Sequence, residues 1–312
     1  MRLVRRLVWL IAFGLVHGML IWSGDILLVY AILGLLAMTL RGLGPRSLLI
    51  LGAILHLSVS AYSLSEGFDI AQLPPEEQAD IARDMEDSTP ESRNERFQAQ
   101  TGSLSEVIQQ NIDDWISAYG NYTHPLDAIY DVQLLGFMLF GMGLFKSGFL
   151  TGQSSGQIYR IVALSGFLAL LPIGWQSAQM IQQGFPLPQA YTTGIAANMA
   201  LGPVVSLGYM ATIVLLLRTG LRLSPLQAVG RMAFTNYLTQ SLIMTSVFWG
   251  GKGLGLLNQW DRPTVTLFVV TVWALQLAWS PLWLSRYQMG PFEWVWRCLT
   301  EGRRLPLRKA AT

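Results

Sequence analysis

Two ionisable side chains eight residues apart, His17 and Asp25, stand in a stretch that is otherwise almost free of titratable groups, FGLVHGMLIWSGDILLVYAILG. An imidazole oriented by a carboxylate is a general base. Trp22 and Gly24 make a turn so short that the flanking segments form a tight antiparallel hairpin, which brings His17 within reach of Asp25 or Tyr30. The same residues also admit a plain structural role, with Asp25 capping the next helix and His17 bonded to a neighbour. A second cluster, LDAIYDVQLLGFMLFGMG, puts Asp127 at an interface as a cap and Asp131 and Gln133 deeper. Asp131 is then the costliest carboxylate in the chain, kept neutral or paired with an arginine or histidine. In a third, AVGRMAFTNYLTQS, helical spacing places Arg231, Thr235 and Asn236 on one face, with Tyr237 and Gln240 beside it. Interhelical hydrogen bonding that merely holds a bundle together accounts for such a face equally well. With Gln176, Gln179 and Asn198, these groups predict a polar pocket open to the non-cytoplasmic side, its candidate lining being Trp22, Tyr30, Asp131, Gln133, Arg231, Asn236, Tyr237 and Gln240.

The elements that carry these residues are apolar. Hydrophobic residues make up 52% of the 312 positions and charged ones 13%, about half the share usual in soluble domains. Stretches of about twenty uncharged residues at 4–23, 26–42, 46–64, 126–147, 158–181, 190–217, 227–249 and 263–286 are each long enough to cross a bilayer. The expected fold class is all-α, a polytopic transmembrane helical bundle of about eight spans. With both termini cytoplasmic, sixteen of the twenty-one lysines and arginines fall on the inside, as the positive-inside rule requires. The expected location is therefore a plasma membrane, with the lipid bilayer as first partner. The basic start and apolar body of the first segment resemble a signal peptide, but no small-residue cleavage site follows and it reads as a retained helix.

The expected organisation is membrane helices over 1–64, an extracytoplasmic loop over 65–125, membrane helices over 126–290, and an interfacial helix with a basic tail over 291–312. The loop carries thirteen acidic residues against three arginines, which disfavours nucleic acid and anionic headgroups as partners. Within it PPEEQADIARDMED suits a helix, although the composition of 76–100 fits disorder equally well. SLSEVIQQNIDDWISAYG spaces Leu104, Val107, Ile108, Ile112, Trp115 and Ile116 as an amphipathic helix lying on the membrane or across the bundle mouth. Asn121-Tyr122-Thr123 matches a glycosylation acceptor, a weak signal. The lone Cys298 excludes an intrachain disulfide, and His17, His56 and His124 are too scattered for a metal site. His56 reads as a satisfied buried histidine. GGKGLG at 250–255 lacks the strand and spacing of a phosphate loop and reads as a flexible external connection.

The opening RRLVWLIAFGLVHGMLIWSGDILLVYAILGLL and the closing GRMAFTNYLTQSLIMTSVFWGGKGLGLL and SPLWLSRYQMGPFEWVWRCLTEGRRLPLR resemble the YeiB family, bacterial inner-membrane proteins whose C-terminal domain has no assigned function. The likeness runs along the whole chain. That family is grouped, distantly, with membrane acyltransferases that include sugar O-acetylating enzymes and heparan-glucosaminide N-acetyltransferase. Members usually begin with further membrane helices bearing an Asp-x-x-Arg-Gly segment, so the resemblance implies a chain lacking its first two or three helices.

Three functions follow as expectations. As an acyl transferase, the protein would take an acyl group from a cytoplasmic donor such as acyl-CoA and modify an envelope glycan or lipid. His17 would be the base and Asp25 its orienter, with Arg231, Asn236 and Tyr237 lining the donor path. As a transporter, it would route a solute or proton past Asp131. As a structural or regulatory membrane component, it would bind a partner through the acidic loop.

Overall fold

A computed structural model describes residues 2–85, 90–120, 125–184 and 196–309. Among them every regular element is a helix, apart from one isolated bridge between Tyr287 and Arg308. In chain order these are α1 (Arg2–Val16), a π-helical turn (His17–Ile21), α2 (Leu27–Thr39), α3 (Pro45–Gln72), α4 (Pro75–Met85), α5 (Pro90–Thr101), α6 (Leu104–Gly120) and α7 (Pro125–Lys146). They continue with α8 (Gly156–Gln182), α9 (Ala196–Arg218), α10 (Ser224–Arg231), α11 (Ala233–Phe248), α12 (Arg262–Arg286) and α13 (Pro291–Glu301). The all-α membrane fold is thus as expected. Six helices are long and apolar enough to cross a membrane: Arg2–Ile21, Pro45–Gln72, Ala128–Lys146, Gly156–Gln182, Ala197–Arg218 and Arg262–Arg286.

The stretches read as spans at 26–42 and 227–249 form shorter helices. The 13 residues of α2 rise only about 20 Å at 1.5 Å each, against a hydrocarbon core of about 30 Å. The second stretch is broken at Met232, where φ −112° and ψ 26° leave the helical region and separate α10 from α11. In the acidic region, the described residues form α4 over Pro75–Met85 and α5 over Pro90–Thr101. The Asn121–Thr123 triplet lies outside the described residues, as does the side chain of Asp127.

The chain divides into two compact units. The first comprises residues 1–35, 88–122 and 223–312, and the second residues 36–87 and 123–222. The second unit is held by small residues, as helices in lipid require because burial from water does not drive their association. A Cβ on Gly52 would lie 2.6 Å from the Gly136 carbonyl of α7, and one on Gly166 of α8 would lie 2.5 Å from the Cα of Gly208 on α9. Around these crossings, Leu48 and Leu139 form one apolar core, and Phe149, Tyr159, Ala163 and Ala211 another. The Tyr159 hydroxyl donates to the Phe149 carbonyl at 2.6 Å, and Arg218, stacked 4.7 Å from the Tyr159 ring, donates to the Gly152 and Ser154 carbonyls.

In the first unit, α13 packs along α1. The Trp296 indole donates to the Arg6 carbonyl at 2.9 Å while the Arg6 guanidinium sits 4.6 Å over the Trp296 ring, and Arg2 pairs with Glu301 at 3.3 Å. The break at Met232 is satisfied from α13. Glu293 accepts the freed Thr235 N–H at 2.9 Å and bonds the Thr235 hydroxyl, which in turn accepts the Phe292 N–H at 3.1 Å. Each helix N-terminus thereby caps the other, and a carboxylate suits that positive end.

Candidate functional site

Polar side chains from distant parts of the first unit, Asn111, Tyr237 and Lys252 among them, meet at the end of the first membrane helix. After Val16 the helix widens into the π turn His17–Ile21, closed by a Trp22 N–H bond to the His17 carbonyl at 2.8 Å. Such turns leave carbonyls without helical donors, and here two residues distant in sequence supply them. The Asn111 amide of α6 donates to the Gly18 and Met19 carbonyls at 2.7 and 2.8 Å, and its oxygen accepts the Ser23 N–H at 2.7 Å. The Lys252 ammonium donates to the Leu20 and Ile21 carbonyls at 2.7 and 2.8 Å, placing its charge at the negative end of the helix dipole.

The loop carrying Lys252 is not the flexible connection the sequence suggested. Gly250 N–H bonds the Gln100 carbonyl at 2.9 Å, Leu254, Leu256 and Leu257 bond back to the end of α11, and the Gly250 and Gly251 backbones lie directly against Thr101 and Leu104. Only glycine fits there. Lys252 also lies 4.5 Å from the Trp249 ring centre, and burial holds its ammonium down to about 8.

This scaffold fixes His17 and Asp25. His17 is 1% exposed and Asp25 fully buried, and His17 Nδ1 lies 2.8 Å from Asp25 Oδ1. A carboxylate only accepts, so Nδ1 carries the proton and the Nε2 lone pair is left free in the neutral ring. Nε2 is buried and has no hydrogen-bond partner among the described residues. The Tyr237 hydroxyl donates to Asp25 Oδ1 at 3.2 Å, Asp25 Oδ2 accepts the Leu28 N–H at 3.1 Å, and the Tyr119 hydroxyl donates to the Asp25 carbonyl. Asp25 is therefore both the helix cap and the histidine's partner, the two roles that the sequence left as alternatives.

Gly14 makes the approach feasible, because a Cβ there would lie 2.5 Å from Leu28 N and 3.0 Å from Asp25 Oδ2. With Asp25 and Leu28 turned to α1, Tyr30 two positions on faces away, and it is 41% exposed. The Tyr30 alternative is thereby corrected, and Tyr237 takes its place. The Tyr237 ring lies 5.1 Å from His17, and the Trp22 ring meets His17 edge-on at 6.4 Å. A second buried polar atom without a partner, Trp115 Nε1, belongs to an indole that lies directly against Gly18.

The other sequence candidates have different surroundings. Gln240 donates to Gln276 at 2.7 Å, and Asn236 donates to the Val229 carbonyl at 3.1 Å and to Ser280 at 3.3 Å. Arg231, on the far side of the break at Met232, donates to the Gln288 carbonyl at 2.9 Å, so the single face expected for Arg231, Thr235 and Asn236 does not form. Asp131 and Gln133 belong to the second unit, where Gln133 Nε2 lies 3.3 Å from His56 Nδ1.

Sequence reasoning missed Asn111, Tyr119 and Lys252. Asn111 lies on the buried stripe of α6 with Val107, whereas Leu104 and Ile116, read as part of the apolar face, are 52% and 48% exposed. A polar residue in register with that stripe, at 107, 111 and 115, was the available signal. Ser103 and Glu106 form the capping box that starts the helix. The Ser103 N–H reaches Glu106 at 2.7 Å and holds its carboxyl below the usual range together with the Ser103 hydroxyl.

Beside this cluster lies a cavity of about 410 Å³ lined by Trp22, Tyr237, Gln240, Ser241, Met244, Thr245, Phe248, Trp249 and Leu257. It touches the two aromatic rings that pack on His17. Among the described residues no group of three or more His, Cys, Asp and Glu side chains could hold a metal ion. The arrangement leaves the Nε2 of a buried imidazole as an open proton-accepting position.

Comparison with known proteins places the chain among proteins whose function is unassigned. Residues 144–303 match the family described as "Protein of unknown function (DUF418)". The chain is 32% identical to the uncharacterized protein YxaH of Bacillus subtilis over 95% of its own length and 71% of that protein's. It is 33% identical to the uncharacterized protein YeiB of Escherichia coli over 95% and 74%, respectively. A 39.9 kDa uncharacterized protein of Bacillus acidopullulyticus is 35% identical over 113 residues, 35% of this chain and 32% of that one. No solved structure matches. With a third of its residues shared along most of both chains, this multipass helical protein, itself matching DUF418 over residues 144–303, belongs to the YeiB family.

Proposed function

We propose that this protein is an acyl transferase of the bacterial inner membrane and that His17 is its general base. The observation that carries the reading is the fully buried His17–Asp25 pair, with Nδ1 engaged and Nε2 unpartnered. An imidazole so arranged accepts a proton only at Nε2. In the reaction Nε2 removes the proton of an acceptor hydroxyl as its oxygen attacks the carbonyl of an activated acyl donor, a thioester such as acyl-CoA. Collapse of the tetrahedral intermediate breaks the carbon–sulfur bond, and the proton on Nε2 returns to the departing thiolate.

Asp25 keeps the imidazole in one tautomer and balances the imidazolium that forms. The Trp115 indole N–H, buried and uncommitted, supplies a donor for the oxyanion. The envelope glycan or lipid is the acceptor in this reading, and Arg231 and Asn236 hold the helix break rather than the donor.

The test is transfer of a radiolabelled acyl group from acyl-CoA to envelope material in membranes that contain the protein. His17→Gln should lower the rate by on the order of 10⁶-fold and Asp25→Asn by on the order of 10⁴-fold, as loss of a base and of its orienter do in hydrolases. Equal transfer by wild type and both variants excludes the dyad as the catalyst. A second reading, a solute path, draws on the cavity of about 600 Å³ in the second unit, where Gln133, Asn198 and Ser206 line a wall shared with Phe137 and Met210. Uptake into proteoliposomes that is abolished by Gln133→Leu would favour it.

A further inference from the structure

The cavity beside the dyad has a chemistry of its own. Its wall is built by Met244, Phe248, Trp249 and Leu257 together with Trp22 and Tyr237. Three further residues are polar, and each commits a donor elsewhere. Gln240 donates to Gln276 at 2.7 Å, the Ser241 hydroxyl to the Tyr237 carbonyl at 3.4 Å, and the Thr245 hydroxyl to the Ser241 carbonyl at 2.8 Å. The Tyr237 hydroxyl is committed to Asp25. No charged side chain lines the space. A sugar, a nucleotide or a lipid headgroup entering it would lose much of its hydration and find few groups to replace it, at most the second amide N–H of Gln240 and the indole N–H groups of Trp22 and Trp249, whereas a hydrocarbon chain loses nothing and leaves water.

We infer that this cavity seats the acyl chain of the transferred group, and that the group is a fatty acyl chain of medium length rather than acetyl. The inference rests on the acyl-transfer reading above and extends it to the donor's substrate class. Size sets the chain length. At about 30 Å³ per methylene-sized group, the share of one water in the liquid, a cavity of about 410 Å³ accommodates on the order of a dozen such groups. An acetyl group would leave most of it empty, and empty apolar space forfeits contacts on every side. Trp22 and Tyr237 both line the cavity and pack against His17, so a chain whose carbonyl end lies at these two rings has that end on the imidazole's side. Met244 is an apolar wall residue whose size changes the space available to the chain.

The experiment compares acetyl-, octanoyl-, dodecanoyl- and hexadecanoyl-CoA as donors for the purified full chain in lipid nanodiscs. In parallel, a diazirine-bearing dodecanoic acid is photolysed on the same samples and the labelled peptides are identified by mass spectrometry. Wild type should use the dodecanoyl donor at least tenfold better than acetyl, with label between residues 240 and 257. Met244→Trp should move the optimum to octanoyl and cut dodecanoyl labelling about tenfold, and Met244→Ala should move it toward hexadecanoyl. Opposite shifts from the two variants cannot arise from misfolding. Equal use of acetyl and dodecanoyl donors, unchanged in both variants, overturns the inference and leaves the dyad standing. Transfer from no donor, with the label still in the cavity, overturns the acyl-transfer reading on which it rests.

Discussion

The two compact units solve different problems with the same raw material. In the second, long helices meet through glycines, so that Gly52 faces Gly136 and Gly166 faces Gly208 at distances no side chain permits. Its buried polar contacts within the membrane are few, Gln133 with His56 among them. In the first, the helices other than Arg262–Arg286 are shorter or broken, and the groups freed by the breaks are satisfied one by one. Asn111 and Lys252 bond four carbonyls of the π turn, and Glu293 closes the break at Met232. Close apolar packing gives a rigid membrane element. Irregular backbone held by distant side chains gives a place where a histidine and an aspartate can be buried together with one nitrogen left over.

The contrast can be broken first in the second unit. Gly166→Leu forces a side chain into the Gly208 backbone, and overpacking against an immovable neighbour should cost about 3 kcal/mol or more. Fluorescence-detected size exclusion should show loss of the monodisperse peak, and a normal peak would mean that the glycine crossing is not what holds α8 to α9. Next, in the first unit, Asn111→Ala leaves the Gly18 and Met19 carbonyls and the Ser23 N–H without partners, a loss of about 3 kcal/mol. Hydrogen exchange should accelerate at residues 17–24 and not in α8 or α9. Uniform acceleration would contradict the local role.

Lys252→Met removes two donors at the more exposed end of the same turn and should cost about 1 kcal/mol. The pH dependence separates it from a generic loss. Because burial lowers the folded-state value to about 8 from 10.5, the folded protein binds fewer protons than the unfolded one between those two values, and stability rises with pH across that window. The melting temperature of wild type should therefore gain on that of Lys252→Met between pH 8 and 10, and a constant gap would refute the burial of the ammonium. The smallest effect is expected from Gln133→Leu in the second unit, about 0.6 kcal/mol, the usual worth of a hydrogen bond between membrane helices.

Much of this was legible in the residues. Hydropathy gave the membrane helices, and the short connection Trp22–Gly24 gave the meeting of His17 with Asp25. What it could not give was the partner at the other end of a long loop. Asn111 lies 93 residues from Gly18 and Lys252 lies 232 from Leu20, and a single chain carries no mark of such pairings. The π turn was equally hidden, since its local sequence, HGMLI, reads as ordinary apolar helix. Span seven failed for a related reason. Periodicity runs unbroken through Met232, and only Glu293, 58 residues beyond Thr235, makes a break there tolerable. Tyr30 was misplaced because spacing along a hairpin does not fix the rotation of the second helix, which Gly14 decides.

The most direct test of the account is the protonation of the His17 ring. In protein carrying ¹⁵N-labelled histidine, assigned with His17→Gln, the nitrogen shifts at neutral pH should report a protonated Nδ1 and a bare Nε2. In Asp25→Asn that tautomer preference should be lost. A proton resident on Nε2 in the wild type would remove the base on which the proposed chemistry depends.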